Sequence, residues 1–228
     1  MRKVLMLLLI AMFSVSFVVA QDASLLIDGV NKKFARVRDY QADALIDTKI
    51  SFLKILPQKA KIYYRKPSQF KVKAEGIAIL PKQNFDQLFE LLSKPASYSA
   101  FVTGFETDKN GELAIVQVLP SSDTSDLVLA KLWIDPEQDL IIKSQLTTRS
   151  NGTVSIRYRY GKFAEFALPD QMEFTVELKK FKIPKAVSAD INSSSKPANS
   201  ASDAKTGQIF ITLTNYQINK GISGTVFQ

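Results

Sequence analysis

The chain has 228 residues, 46% apolar and 23% charged, with a formal net charge of +8; these are values of one globular domain or at most two, and wholesale disorder is excluded. It contains no cysteine and no histidine, which removes thiol catalysis, disulfide frameworks, thiolate and imidazole metal sites, and every catalytic triad built on His or Cys.

Met1-Arg2-Lys3 is followed by an uncharged run from Val4 to Ala20. A basic start, an apolar stretch and a small residue at its exit predict a signal peptide over 1–20, cleaved after Ala20. The run is shorter than the roughly 20 apolar residues that a spanning helix needs. Cleavage removes Arg2 and Lys3 and lowers the net charge by two. The remaining basic residues are scattered rather than interleaved with stacking aromatics, so nucleic acid is not an expected partner.

Residues 22–38 read as an amphipathic helix, with Leu26, Val30, Phe34 and Val37 on one face and Arg36 and Arg38 at its end. From Tyr40 the period shortens to two. Ala42, Ala44, Ile46, Thr48, Ile50 and Phe52 alternate with mostly polar neighbours, which predicts a half-buried strand. Pro57 and Gln58 mark a turn, 59–65 returns as a strand, and Phe70, Val72 and Ala74 alternate again after Pro67. Residues 84–94 form a second expected helix. Phe85, Leu88, Phe89 and Leu92 recur at helical spacing, Asn84 suits the N-cap and Pro95 the stop.

The rest reads as strand: 98–106, 112–119, 127–134, 140–148, 153–160, 172–180 and 208–216. Asn151-Gly152 predicts a two-residue hairpin. Val154, Ile156 and Tyr158 share one face, and Phe174 and Val176 repeat the pattern two strands' worth of sequence later. The stretch 182–206 is rich in Ser and Ala and has no aromatic residue, so it is expected to be a flexible insertion rather than a domain linker. The fold class is therefore mainly β (α+β), with a large antiparallel sheet carrying one apolar face. Such a sheet curls and must close on itself or be capped, and two or three helices are available as the cap.

Ser24, Lys94 and Asp126 are not framed by a Gly-x-Ser-x-Gly, a Ser-x-x-Lys or a phosphate-cradling glycine loop. Asp43 and Asp47 fall on the outward face of their strand, as a solvated surface. A non-enzyme without metal or cofactor is expected. The apolar set Phe52, Phe70, Val72, Val154, Ile156, Tyr158, Phe174 and Val176, with the helix stripe Phe85, Leu88, Phe89 and Leu92, suits a filled core and a ligand cavity equally well.

Several short motifs carry a resemblance. They are Asp39-Tyr40-Gln41-Ala42, the stretch Arg65-Lys66-Pro67 followed by Phe70, Leu168-Pro169 before a strand, Leu213-Thr214-Asn215-Tyr216, Asn219-Lys220-Gly221-Ile222 and Val226-Phe227. With the order of elements, they make residues 21–228 resemble a single LolA/LolB-like outer-membrane lipoprotein-sorting domain. The resemblance implies a half-open β-barrel lidded by helices. In such a protein the apolar concave face, here the twelve residues above, takes up the acyl chains of lipoproteins or related lipids. It implies a periplasmic, monomeric carrier of acylated cargo between an inner-membrane donor and an outer-membrane acceptor. In the family an arginine before the matching proline controls lid closure and release; Lys66 takes that slot here, with Arg65 one residue earlier on the opposite strand face. The alternative is a lipid-sensing or partner-binding module of the same fold without a transport role.

Overall fold

Asp22 starts the first helix by local chemistry: its carboxylate accepts from the Ser24 amide at 2.8 Å, satisfying one of the orphan donors of the first turn. The helix α1, Ala23–Ala35, then buries Leu26, Ile27, Val30 and Phe34 along one stripe and ends with Lys32 and Lys33 in its last turn, where the helix dipole favours cations. These coordinates are a computed structural model that describes residues 22–50, 53–74, 76, 85–109, 111–150, 152–177 and 206–228. The expected signal peptide over 1–20, Phe52, Asn84 and all of the 182–206 insertion except Thr206 lie outside the described residues.

Among the described residues, eleven strands follow the alternation of the sequence: β1 (Asp39–Ile50), the two-residue β2 (Leu53–Lys54), β3 (Gln58–Arg65), β4 (Gln69–Ala74), β5 (Tyr98–Asp108), β6 (Gly111–Pro120), β7 (Leu127–Asp135), β8 (Leu140–Thr148), β9 (Gly152–Arg159), β10 (Gln171–Glu177) and β11 (Thr206–Ile218). The second helix, α2 (Phe85–Leu92), sits between β4 and β5 in sequence. One sheet runs β4-β3-β1-β11-β10-β9-β8-β7-β6-β5, with β2 added to β1, and neighbouring strands pair antiparallel throughout. The path does not return on itself. Among the described residues β4 and β5 are its edges, and the sheet curls around the two helices as a half-open barrel.

The hairpin expected at Asn151-Gly152 is longer by a residue. The β8–β9 register closes at Thr148 opposite Gly152, so three residues intervene rather than two. Gly152 takes φ 73°, the left-handed conformation that such a three-residue loop places at its end. β10 and β11 pair directly, so the intervening stretch connects neighbours in the sheet.

The chain's last strand is locked to its first helix by side-chain chemistry at one residue. Asn219, with φ 58°, accepts from the Arg38 amide at 2.7 Å and donates to the Arg36 carbonyl at 2.8 Å. Asp39 completes the knot by accepting from the Gly221 amide at 2.9 Å. The Asn219-Lys220-Gly221 motif thus ties the end of β11 to the α1–β1 junction, because Asn tolerates the left-handed backbone that presents its amide both ways.

A candidate acyl-binding interior

The inward residues of all the long strands and the stripes of both helices form one continuous apolar core. Within it α2 lies over the sheet's concave face. Leu88, Phe89 and Leu92 are all at most 1% exposed. Phe85 opens the helix, and its side chain lies outside the described set. Phe89 meets Phe34 of α1 with ring centroids 4.3 Å apart, and Phe34 in turn meets Tyr64 of β3 at 5.5 Å. Tyr40, Tyr64, Phe163 and Tyr216 extend this aromatic chain at centroid separations of 5.0–5.7 Å.

Polar contacts hold α2 at its last turn. The Leu92 carbonyl, one of the orphan acceptors at the helix end, accepts from the Asn31 side-chain amide of α1 at 2.6 Å and from the Tyr98 hydroxyl of β5 at 3.3 Å. The β9–β10 ladder supplies another part of the same core. Val154 faces Val176, Ile156 faces Phe174, and Tyr158 faces Met172 across the β9–β10 ladder, every one of these side chains buried. The Tyr158 hydroxyl shares a buried 2.9 Å hydrogen bond with Ser144, and burial pushes its pKa well above the ordinary tyrosine value.

Phe70 and Val72 differ from the rest. They lie on the edge strand β4 opposite Tyr64 and Ile62, pack against the core, and remain half-exposed. So the structure brings ten of the twelve expected residues into or against one core, leaves Phe52 and the Phe85 side chain undescribed, and fills the interior with the α2 stripe itself. Two clefts lined by described residues, of about 290 and 130 Å³, border β9 and do not touch α2.

Arg65 ends β3 and Lys66 begins the turn that follows, and their side chains find different partners. The Arg65 guanidinium turns outward to Gln69 at 2.7 Å, the Ile222 carbonyl at 3.0 Å and the Phe227 ring. Lys66 reaches the other way: its ammonium donates to the Ala35 carbonyl at the end of α1 at 2.7 Å, and its amide donates to the Arg38 carbonyl at 2.9 Å. Partial burial there lowers its pKa below the ordinary lysine value.

Sequence reasoning missed the contribution of α1. Its periodic stripe is plain, but nothing local marks Phe34 as the residue that meets Phe89, or Asn31 as the tether of a helix 61 positions away. Among the described residues, no group of three His, Cys, Asp or Glu could hold a metal ion, and no helix is long and apolar enough to cross a membrane.

No protein-family model matches the chain, and no curated protein matches it in sequence. Solved structures are similar in fold. A LolA superfamily protein from Nitrosomonas europaea superimposes with a TM-score of 0.61 at 8% identity, over 92% of this chain and 98% of that one. A domain assigned to outer membrane lipoprotein sorting from Vibrio parahaemolyticus gives 0.57 at 9% identity, over 91% and 97%. A DUF1329 family protein from Desulfovibrio piger gives 0.54 at 10% identity, over 90% and 97%. The chain has a LolA-like fold.

Proposed function

From a chain with the LolA-like fold, we propose a periplasmic carrier that holds the acyl chains of lipoproteins or related lipids between α2 and the concave sheet face, for transfer towards the outer membrane. The observation that supports this most is the short cover: an eight-residue helix buries Leu88, Phe89 and Leu92, and among the described residues its hydrogen bonds to the rest of the domain meet at the Leu92 carbonyl. Displacing α2 exchanges one apolar partner for another. An acyl chain that takes the place of Leu88, Phe89 and Leu92 gains about 0.8 kcal/mol per buried methylene, and the exposed stripe is itself available to cover it.

In this reading Leu88, Phe89 and Leu92 with Phe85 form the lid. Val154, Ile156, Tyr158, Phe174 and Val176 form the floor, and Phe70 and Val72 the entrance at the β4 edge. Phe52 extends the same apolar face. Lys66 gates: its bond to Ala35 ties the β3–β4 turn to the end of α1, so release of that bond loosens the β4 edge. Lysine offers a point charge where the family's arginine offers a planar fork, so one carbonyl is what it holds. The carrier acts as a monomer, takes its cargo from an inner-membrane donor and delivers it to an outer-membrane acceptor, without catalysis or cofactor.

A fluorescent fatty acid or lipopeptide titrated into the folded protein tests the reading. Leu88→Glu is expected to weaken uptake at least about tenfold, roughly 1.4 kcal/mol, while the domain stays folded. Absence of uptake by the wild type, together with absence of lipid in native mass spectra of protein taken from its own periplasm, gives the fold to a partner-binding module instead.

A further inference from the structure

The outer face of β5–β9 carries a pattern that an acyl-binding interior does not use. Phe101 on β5 is 55% exposed and Leu119 on β6 is 42% exposed. Phe101 pairs with Gln117 and Ser99 with Leu119, so the two apolar side chains are diagonal neighbours on the outer face beside the β5 edge. From there the register runs into a basic cluster. Gln117 faces Lys131, Trp133 faces Lys143, and Lys143 faces Arg157. Arg159 stands two residues further along the same outer face, with Ile156 and Tyr158 buried on the other.

On its β10 side Arg157 stands opposite Glu173, and on its β8 side it meets a like charge. Like charges directly opposite each other destabilise a ladder, and Lys143 stands opposite Arg157. Trp133 steadies two of the cations, with the Lys143 and Lys131 ammoniums 4.0 and 4.8 Å from its ring centroid. Glu106 answers Lys143 at 3.3 Å. Among the described residues, no carboxylate forms an ion pair with Arg157 or Arg159. Both residues line the 290 and 130 Å³ clefts, with Asp108 in the larger and Glu173 in the smaller, and without an ion pair their guanidiniums are available to an oxyanion.

We propose that this outer face docks the protein on an anionic lipid bilayer, with Phe101 and Leu119 entering the interface and Lys131, Lys143, Arg157 and Arg159 meeting headgroup phosphates. A soluble acidic partner would need the cations alone. An exposed apolar pair next to a basic quartet matches a surface in which apolar and anionic layers are stacked. All six side chains point away from the core, so the inference stands apart from acyl uptake.

Co-sedimentation of the full chain with phosphatidylcholine vesicles, with and without about one-third phosphatidylglycerol, reads the docking directly. Binding is expected only to the anionic vesicles and to weaken with salt. Arg157→Glu with Arg159→Glu should lower the affinity at least about tenfold, whereas Lys59→Glu with Lys73→Glu, the same charge change at the far end of the sheet, should lower it less than about threefold. Phe101→Ser with Leu119→Ser should abolish the salt-resistant part of the binding. If the double Glu variant fails to fold, Arg157→Gln with Arg159→Gln takes its place. No preference for anionic vesicles, or equal losses in the two charge-reversal variants, overturns the docking face. Binding of soluble polyglutamate without binding of vesicles assigns the face to a protein partner and overturns it as well.

Discussion

The two helices bury equally apolar stripes in the same core, yet they are held in different ways. α1 is fixed along its length. Asp22 caps its start, Lys33 donates to the Gln138 carbonyl, Arg36 reaches Glu165, Lys66 takes the Ala35 carbonyl, and Asn219 holds the residues that follow. α2 is shorter, and its contacts to the rest of the barrel by hydrogen bond, among the described residues, converge on the Leu92 carbonyl. Burial alone therefore does not separate a structural helix from a lid; the number and spread of polar tethers does, because an apolar stripe can be exchanged for another apolar surface and a network of directed bonds cannot.

The comparison predicts unequal consequences of equal cuts. Phe34→Ala in α1 should cost the whole domain about 3–5 kcal/mol in denaturant unfolding, since it removes the ring between Tyr64 and Phe89. Leu88→Ala in α2 should cost distinctly less in the same global transition, because a lid can open without unfolding the floor. A loss as large as that of Phe34→Ala would make α2 a core helix and erase the distinction.

Asn31→Ala sharpens it. Removing the tether gives up a hydrogen bond worth about 0.5–1.5 kcal/mol and raises the open population. Acyl uptake should tighten by about two- to tenfold. A plain structural role for Asn31 would lower stability and leave the uptake constant unmoved.

Proton linkage separates the interior from the surface. Burial raises the pKa of the hydroxyls of Tyr158, Tyr160 and Tyr216, and those of Tyr160 and Tyr216 donate to the Ile141 and Pro169 carbonyls. In the unfolded chain each ionises near the ordinary tyrosine value of about 10. The folded state keeps the proton, so this contribution to stability is full below about pH 10 and is lost as the pH rises above it. Unfolding midpoints measured from pH 8 to 12 should fall steeply only above about 10. Between pH 6 and 8 acyl affinity should be flat, as neither His nor Cys is present. A steep change there would implicate Lys66, whose pKa lies below the ordinary lysine value.

Much of this fold is legible in the sequence because each strand carries its own period. Val154, Ile156 and Tyr158 announce an inward face without reference to any other element, and the structure buries all three. The extra residue in the β8–β9 loop was not legible, since Asn-Gly serves two loop lengths and the flanking register decides between them. The candidate site was legible as a set of inward residues and not as an arrangement. Leu88 and Phe89 advertise a helix stripe, but that Phe34 lies against it, that Asn31 reaches Leu92, and that Lys66 ends on Ala35 are pairings between distant segments with no local trace.

Native-state hydrogen exchange of the amides in 85–92 against those in 23–35, with and without a bound fatty acid, tests the lid most directly. The account predicts that the α2 amides exchange through a local opening, at a free energy well below that of α1, and that acyl binding changes their protection while leaving α1 unchanged. Exchange of both helices only through global unfolding, at one shared free energy, would contradict it.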